Sequence, residues 1–112
     1  MSKHRIPPEL YKQILLNVKC TSVDVFVFKE GKILLGYRTK SPGINSWAPP
    51  GGWVWKEETP IDASNRHVEE LGIKIKNHKL VDIITTTWAD HPQNKNDLLI
   101  YYSAEYDSGH LI

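Results

Sequence analysis

The chain has 112 residues, 40% of them hydrophobic, which is enough for one domain with a packed core. Its 14 basic and 13 acidic residues leave a formal charge of +1, so it lacks the positive field that binding to nucleic acid or an anionic membrane requires. The single cysteine, Cys20, excludes an internal disulfide and is expected to be a buried, inert thiol. No apolar run reaches the ~20 residues of a membrane span, and MSKHRIPPEL has no apolar signal core, so a cytoplasmic protein is expected.

In chain order, Pro8 to Val18 has Pro7 and Pro8 at its start and Leu10, Ile14, Leu15 and Val18 at helical spacing, which predicts a short helix. TSVDVFVFK (Thr21–Lys29) alternates: Val23, Val25 and Val27 fall on one face, and Ser22, Asp24, Phe26 and Phe28 on the other. That pattern predicts a strand. Glu30-Gly31 is a tight turn, with KILLGYR (Lys32–Arg38) as the return strand of a hairpin. TKSPGINSW is a loop. Thr59 is a good N-cap, Pro60 suits the first helical position, and Asp62 is placed for a capping box. Gly72 is a C-terminal stop, so the second helix is expected over about Pro60 to Leu71. Its apolar stripe reads Ile61, Ser64, Val68 and Leu71, with Ala63, Arg66, His67 and Glu70 opposite. KLVDIITTTWAD (Lys79–Asp90) and LLIYYSAEYD (Leu98–Asp107) are further strands around the polar loop HPQNKND, and SGHLI carries no element. Helices mixed with mostly antiparallel strands, without strict βαβ alternation, argue for an α+β sandwich.

The stretch PPGGWVWKEETPIDASNRHVEELGI (Pro49–Ile73) resembles a Nudix box, G-x5-E-x7-R-E-U-x-E-E-x-G-U with U apolar. Gly52, Glu58 and Arg66 match it in order, and the segment closes Glu69-Glu70-Leu71-Gly72-Ile73. The preceding KILLGYRTKSPGINSWAPPGGWV resembles the family's entry into the box, and the similarity covers roughly residues 21 to 106. It implies a Nudix-type α/β/α sandwich: a mixed sheet with the box helix on one face, in a single domain over residues 1–112. Here the box is one residue short. Counted forward from Gly52, His67 stands at the first helix glutamate, Glu70 opens the terminal pair and Leu71 replaces its second member. Counted back from Gly72, the series is Gly51, Glu57, Asn65 and Arg66, with Glu69 and Glu70 as the pair. The apolar stripe favours the forward count up to Val68, because the backward count would bury His67. Family members continue with a strand, a loop and a C-terminal helix. Only DSGHLI follows Tyr106 here, so a truncated C-terminus without that helix is expected.

The resemblance implies a Mg²⁺ (or Mn²⁺) site. Mg²⁺ takes oxygen ligands and keeps several waters, so one or two carboxylates and a backbone carbonyl suffice. The candidates are Glu70 first, then Glu69, Glu57 and a carbonyl of Gly51 or Gly52, where glycine lets the backbone approach closely. Glu58 is a candidate catalytic carboxylate, and Arg66 is placed one helical turn from Glu70 to orient it. His67 is either a nitrogen ligand or solvated. Arg38 follows the hairpin strand as the family's phosphate-binding arginine does, and its planar fork suits a diphosphate. Asp24 is placed to hold a sugar or base hydroxyl. Trp53 is a candidate stacking surface, while Trp47 is expected in the core. His91, on the loop after Asp90, is a candidate general base.

The sequence is most similar to the GDP-mannose mannosyl hydrolase branch: a helix before the first strand, SVDVFVF with its aspartate, GYRTKSPGINSW ahead of PPGGWV, and a depleted box. That branch attacks the anomeric carbon of the sugar. The resemblance therefore implies a hydrolase of a nucleotide sugar such as GDP-mannose. The alternatives are a conventional diphosphatase acting on a nucleoside diphosphate or ADP-ribose-like substrate, and a non-catalytic nucleotide-binding module. The expected partner is a small nucleotide rather than nucleic acid or membrane. A homodimer would cover an open sheet edge.

Overall fold

The computed structural model describes residues 6–39, 44–88 and 95–112. Helix α1 spans Pro8–Asn17 and buries Leu15; Leu10 and Val18 of its expected stripe remain exposed. Strand β1 (Cys20–Lys29) is the centre of the sheet. Its alternation is the one read from sequence: Val23, Val25 and Val27 are buried on the face that meets the second helix. Cys20 is buried and free.

The expected hairpin forms only in part. Glu30 and Gly31 both adopt positive φ, and β2 (Lys32–Ile33) returns antiparallel to β1. The chain then leaves the sheet. Strand β3 (Gly36–Tyr37) pairs with β4 (Trp47–Ala48) in a separate two-stranded ribbon, so Lys32–Arg38 is not one strand. The reason is competition for an edge. Beyond β2, that edge of β1 is already taken by β5 (Gly51–Trp53), and Val25 N–H donates to Pro50 O. Trp47 rides on the outer ribbon, packs edge-on to Tyr37 and is 66% exposed, which corrects its expected core position.

Helix α2 (Pro60–Glu69) begins with the expected capping box: Asp62 N–H donates to Thr59 Oγ1, and Thr59 N–H to Asp62 Oδ2. Its buried face is Ala63, Ser64 and Val68. Ile61 and Leu71 are exposed, so the inward stripe is narrower than predicted and includes Ala63. The helix ends earlier than expected. Leu71 N–H turns back to Val68 O and Gly72 N–H to Glu69 O, so the last turn is tightened into i,i+3 bonds. Gly72 then adopts φ +99, where a Cβ would lie 2.2 Å from His110 O.

Strands β6 (Ile73–Trp88) and β7 (Lys95–Gly109) are both longer than predicted and pair antiparallel along their lengths. The polar segment before Lys79 joins because it has a long partner. The register shifts near Lys76/Lys79, where Asn77 has positive φ. Strand β7 runs parallel to β1, giving the sheet order β2-β1-β7-β6. The terminal residues are tied down, with His110 N–H donating to Gly72 O and Ile112 N–H to Leu71 O. The core lies between α2 and the sheet: Val25, Val27, Val68, Ile73 and Ala104 form one cluster, and Val23, Ala63 and Ile100 another. The result is an α+β arrangement with the box helix on one face of a mixed sheet. Strand β6 is an edge that exposes Leu80, Val81, Ile83 and Ile84. Among the described residues, no helix is long and apolar enough to cross a membrane.

Candidate functional site

The Gly51-Gly52 pair that opens β5 is fixed first. Gly51 lies opposite Asp24 across the β1–β5 ladder, and a Cβ there would fall 2.0 Å from Asp24 Oδ1 and 2.2 Å from Val23 O. Only glycine allows that approach. A Cβ on Gly52 would meet the His67 ring at 2.6 Å, so the pair rests directly on the box helix.

The loop between them is held by Arg66 and Glu58. Arg66 Nε donates to Glu58 Oε2 at 2.6 Å, and its Nη2 donates to Glu58 Oε1 at 3.0 Å and to Trp53 O at 2.9 Å. Trp55 N–H donates to Glu58 Oε1 at 2.9 Å. The Arg66 bonds hold the Glu58 carboxyl below the ordinary glutamate range. Both Glu58 oxygens are therefore engaged, and its observed work is to lock the loop onto α2. His67 Nε2 lies 3.0 Å from Trp53 O, and burial pushes its pKa down. Val68 is fully buried beside it. The Glu58–Arg66 pair joins the two residues that the forward count aligns, and His67 is itself largely buried beside Val68.

Glu70 caps that turn. Its side chain is 39% exposed and lies 3.9 Å from both Arg66 Nη1 and His67 Nδ1. Glu57 and Glu69 are exposed. Among the described residues, no three His, Cys, Asp or Glu side chains converge on one point. The oxygens the described residues offer an ion are thus few: Glu70 is weakly engaged at the end of α2, Glu57 and Glu69 are exposed, and Gly51 and Gly52 stand apart from them on β5. This suits a divalent ion held by one or two protein oxygens and completed by water and a ligand's phosphates, rather than a cage of protein carboxylates.

On the other face of β1, a cavity of about 210 Å³ is lined by Ser22, Asp24, Arg38, Gly51, Trp88 and Asp97, among others. Burial pushes the Asp24 carboxyl up to about 7 against the pull of Arg38. Asp97 Oδ2 accepts from Lys95 Nζ at 2.8 Å and Trp88 Nε1 at 3.1 Å. A larger cavity of about 500 Å³, lined by Leu34, Leu35, Tyr37, Leu71 and the terminal Leu111 and Ile112, shares Arg38, Ala48, Pro49 and Gly51 with the first.

Of the residues singled out in the sequence, Asp24, Arg38, Gly51 and Gly52 meet at the smaller cavity, whereas Glu58 and Glu70 lie on the helix side. The Trp53 ring packs against Tyr11 at 5.4 Å and Trp55 at 5.9 Å and lines neither cavity. His91 lies outside the described residues. Sequence reading missed Ser22, Trp88, Lys95 and Asp97. Only Ser22 carried a local signal, its place on the polar face of β1 with Asp24.

The sequence model of the NUDIX domain matches residues 18–112. Over 72 residues the chain is 43% identical to the low-salt glycan biosynthesis protein Agl8 of Haloferax volcanii, covering 63% of this chain and 46% of that protein. The chain thus spans about half the length of that relative. Among solved structures, the MutT NUDIX hydrolase from Burkholderia pseudomallei superposes with a TM-score of 0.72 at 21% identity, covering 85% of this chain and 74% of that one. A UDP-X diphosphatase superposes at 0.69 and 21% identity, covering 96% and 54%. The NUDIX domain of Shewanella oneidensis NrtR, solved with ADP ribose, superposes at 0.63 and 17% identity, covering 85% and 66%. At these identities the structures share the fold.

Proposed function

This chain belongs to the Nudix family, and we propose that it hydrolyses a nucleoside diphosphate linked to a sugar, such as GDP-mannose, with Mg²⁺ or Mn²⁺. The observation that supports this reading is the pair of cavities with a common wall at Arg38 and Gly51. A substrate lying across that wall puts its diphosphate on the Arg38 guanidinium, its sugar in the small polar cavity with Asp24, and its nucleoside in the larger, more apolar one. The name of the Haloferax relative, a glycan biosynthesis protein, points the same way.

In this scheme the oxygen of a water bonds to the anomeric carbon. The bond from that carbon to the bridging oxygen breaks, and its electron pair stays on the diphosphate. The products are a free sugar and an intact nucleoside diphosphate. A divalent ion, when bound, neutralises charge on the diphosphate as it leaves. Glu70, aided by Glu57, Glu69 and the Gly51 or Gly52 carbonyl, is the chain's means of holding it. Arg38 binds the departing diphosphate. Asp24 orients the sugar by a hydrogen bond to a hydroxyl. Glu58 acts through Arg66, keeping the loop against α2. The water's proton goes to a general base, a role assigned to His91. The proposal takes the protein to be cytoplasmic. A second copy along β6 would cover its exposed apolar edge.

A second reading has support of its own: the UDP-X diphosphatase fold covers nearly the whole chain. It predicts attack at phosphorus and release of a mononucleotide. Phosphorus NMR of the chain with Mg²⁺ and a panel of nucleotide sugars and ADP-ribose separates the two. The proposal expects nucleoside diphosphate resonances to grow as free sugar appears. Mononucleotide resonances support the diphosphatase, and binding without turnover supports a nucleotide-binding module; either result overturns the proposal.

A further inference from the structure

Two buried polar atoms in the small cavity have no partner among the described residues: Asp97 Oδ1 and Ser22 Oγ. Their residues are 2% and 4% exposed. Leaving such atoms unpaired in the folded state costs stability, so their retention needs an explanation. Neither is a loose end. Ser22 sits on β1 directly beside Leu99 of β7, and Asp97 lies two ladder positions back, beside Cys20. Both stand on rigid strands that are hydrogen-bonded to each other. The other Asp97 oxygen is clamped by Lys95 and Trp88, which fixes the carboxylate plane.

We propose that Asp97 Oδ1 and Ser22 Oγ form a hydroxyl-reading pair that binds the sugar moiety of the substrate. The inference rests on the nucleotide-sugar reading above and names the residues that would select the sugar. The chemistry of the free atoms narrows the ligand. A carboxylate oxygen whose partner oxygen is already satisfied can only accept, so the ligand must donate. That favours the hydroxyls of a monosaccharide at Oδ1 over a phosphate oxygen, which has no proton to donate and finds its cation in Arg38 on the cavity wall. The volume, about 210 Å³, suits a single sugar ring and leaves the nucleoside to the neighbouring cavity. Lys95 and Trp88 are positioning residues: they hold Asp97 through Oδ2 and leave Oδ1 without a partner among the described residues. A site built to pair with a hydroxyl discriminates strongly against a ligand that lacks one, because its own buried acceptor is then left bare.

The test uses the intact chain, with saturation-transfer NMR at low temperature to read binding independently of turnover. GDP-mannose and UDP-glucose are each compared with the free nucleoside diphosphate and with monodeoxy-sugar analogues. The wild-type chain is expected to show contacts to sugar protons and to bind at least one nucleotide sugar about tenfold or more tighter than its nucleoside diphosphate. One deoxy analogue should lose that advantage. Asp97→Asn should erase the discrimination between that analogue and the parent sugar, with nucleoside diphosphate affinity unchanged. Ser22→Ala, which removes an unpaired hydroxyl without adding volume, should keep the fold and weaken the sugar contacts in the same direction. The proposal is overturned if the sugar adds no affinity in the wild-type chain, or if both variants discriminate as it does. The nucleotide-sugar reading fails separately, when no nucleotide sugar is hydrolysed; the binding comparison still decides the role of Asp97 and Ser22.

Discussion

Asp24→Asn is expected to be more stable than the wild-type chain above about pH 7, by on the order of 3 kcal/mol, and far less active there. The Asp24 carboxyl is held between the Gly51 backbone and the partly buried cavity wall, and burial raises its pKa from 3.8 to about 7. Between those two values the folded chain binds more protons than the unfolded one. Stability therefore falls as pH rises through that window and levels off above it. Asparagine carries no charge to desolvate. The gap between the two proteins should be small near about pH 4, open with rising pH and plateau above about pH 7. Denaturant titrations in EDTA at a series of pH values read this directly. Parallel stability profiles for the two proteins would show that Asp24 is not held in a desolvating site. The loss of activity follows from the same position. A carboxylate that binds a sugar hydroxyl contributes a charge-assisted hydrogen bond worth about 10- to 100-fold in kcat/KM. The sugar-binding role proposed for Asp24 would account for the cost of burying it.

Glu70→Gln is the second large effect, with the opposite profile. Glu70 is half-exposed, and its two ion pairs are both 3.9 Å long, so removing its charge should leave the fold intact. It sits at a helix C-terminus, where a negative charge is unfavourable by a few tenths of a kcal/mol, so stability should if anything rise slightly. Metal affinity should fall sharply, by about tenfold or more, because in this proposal Glu70 is the principal oxygen ligand of a sparse donor set. Water-proton relaxation with Mn²⁺ measures it. Affinity that survives the substitution unchanged would remove Glu70 from the metal site and turn attention to Glu57 and Glu69.

Much of this architecture was legible in the residues. The β1 alternation, the Glu30-Gly31 turn and the Thr59/Asp62 capping box are local signals, and each forms as read, whereas the helix read as running to the Gly72 stop ends at Glu69. Misreadings came where a distant partner decided. Residues Lys32–Arg38 look like one strand, but β5 takes their place on the edge of β1. The strand read from Lys79 begins at Ile73, because a long β7 pairs with the polar residues before it. Trp47 looks like core and is carried outward on a two-residue ribbon. The candidate site divides the same way. The Gly51-Gly52 pair, Glu58 and Arg66 lie close in sequence, and their spacing exposed them. Asp97 reaches Ser22 and Asp24 only through the parallel pairing of β7 with β1, which no local pattern announces. The engagement of both Glu58 oxygens was likewise invisible, because it depends on Arg66 folding back across the loop.

The most direct test of the central claim is hydrolysis of GDP-mannose in heavy-oxygen water, with the products separated and weighed by mass spectrometry. Attack at the anomeric carbon predicts the heavy oxygen in the released mannose and none in the GDP. Heavy oxygen in a phosphate group, with a mononucleotide among the products, would contradict it.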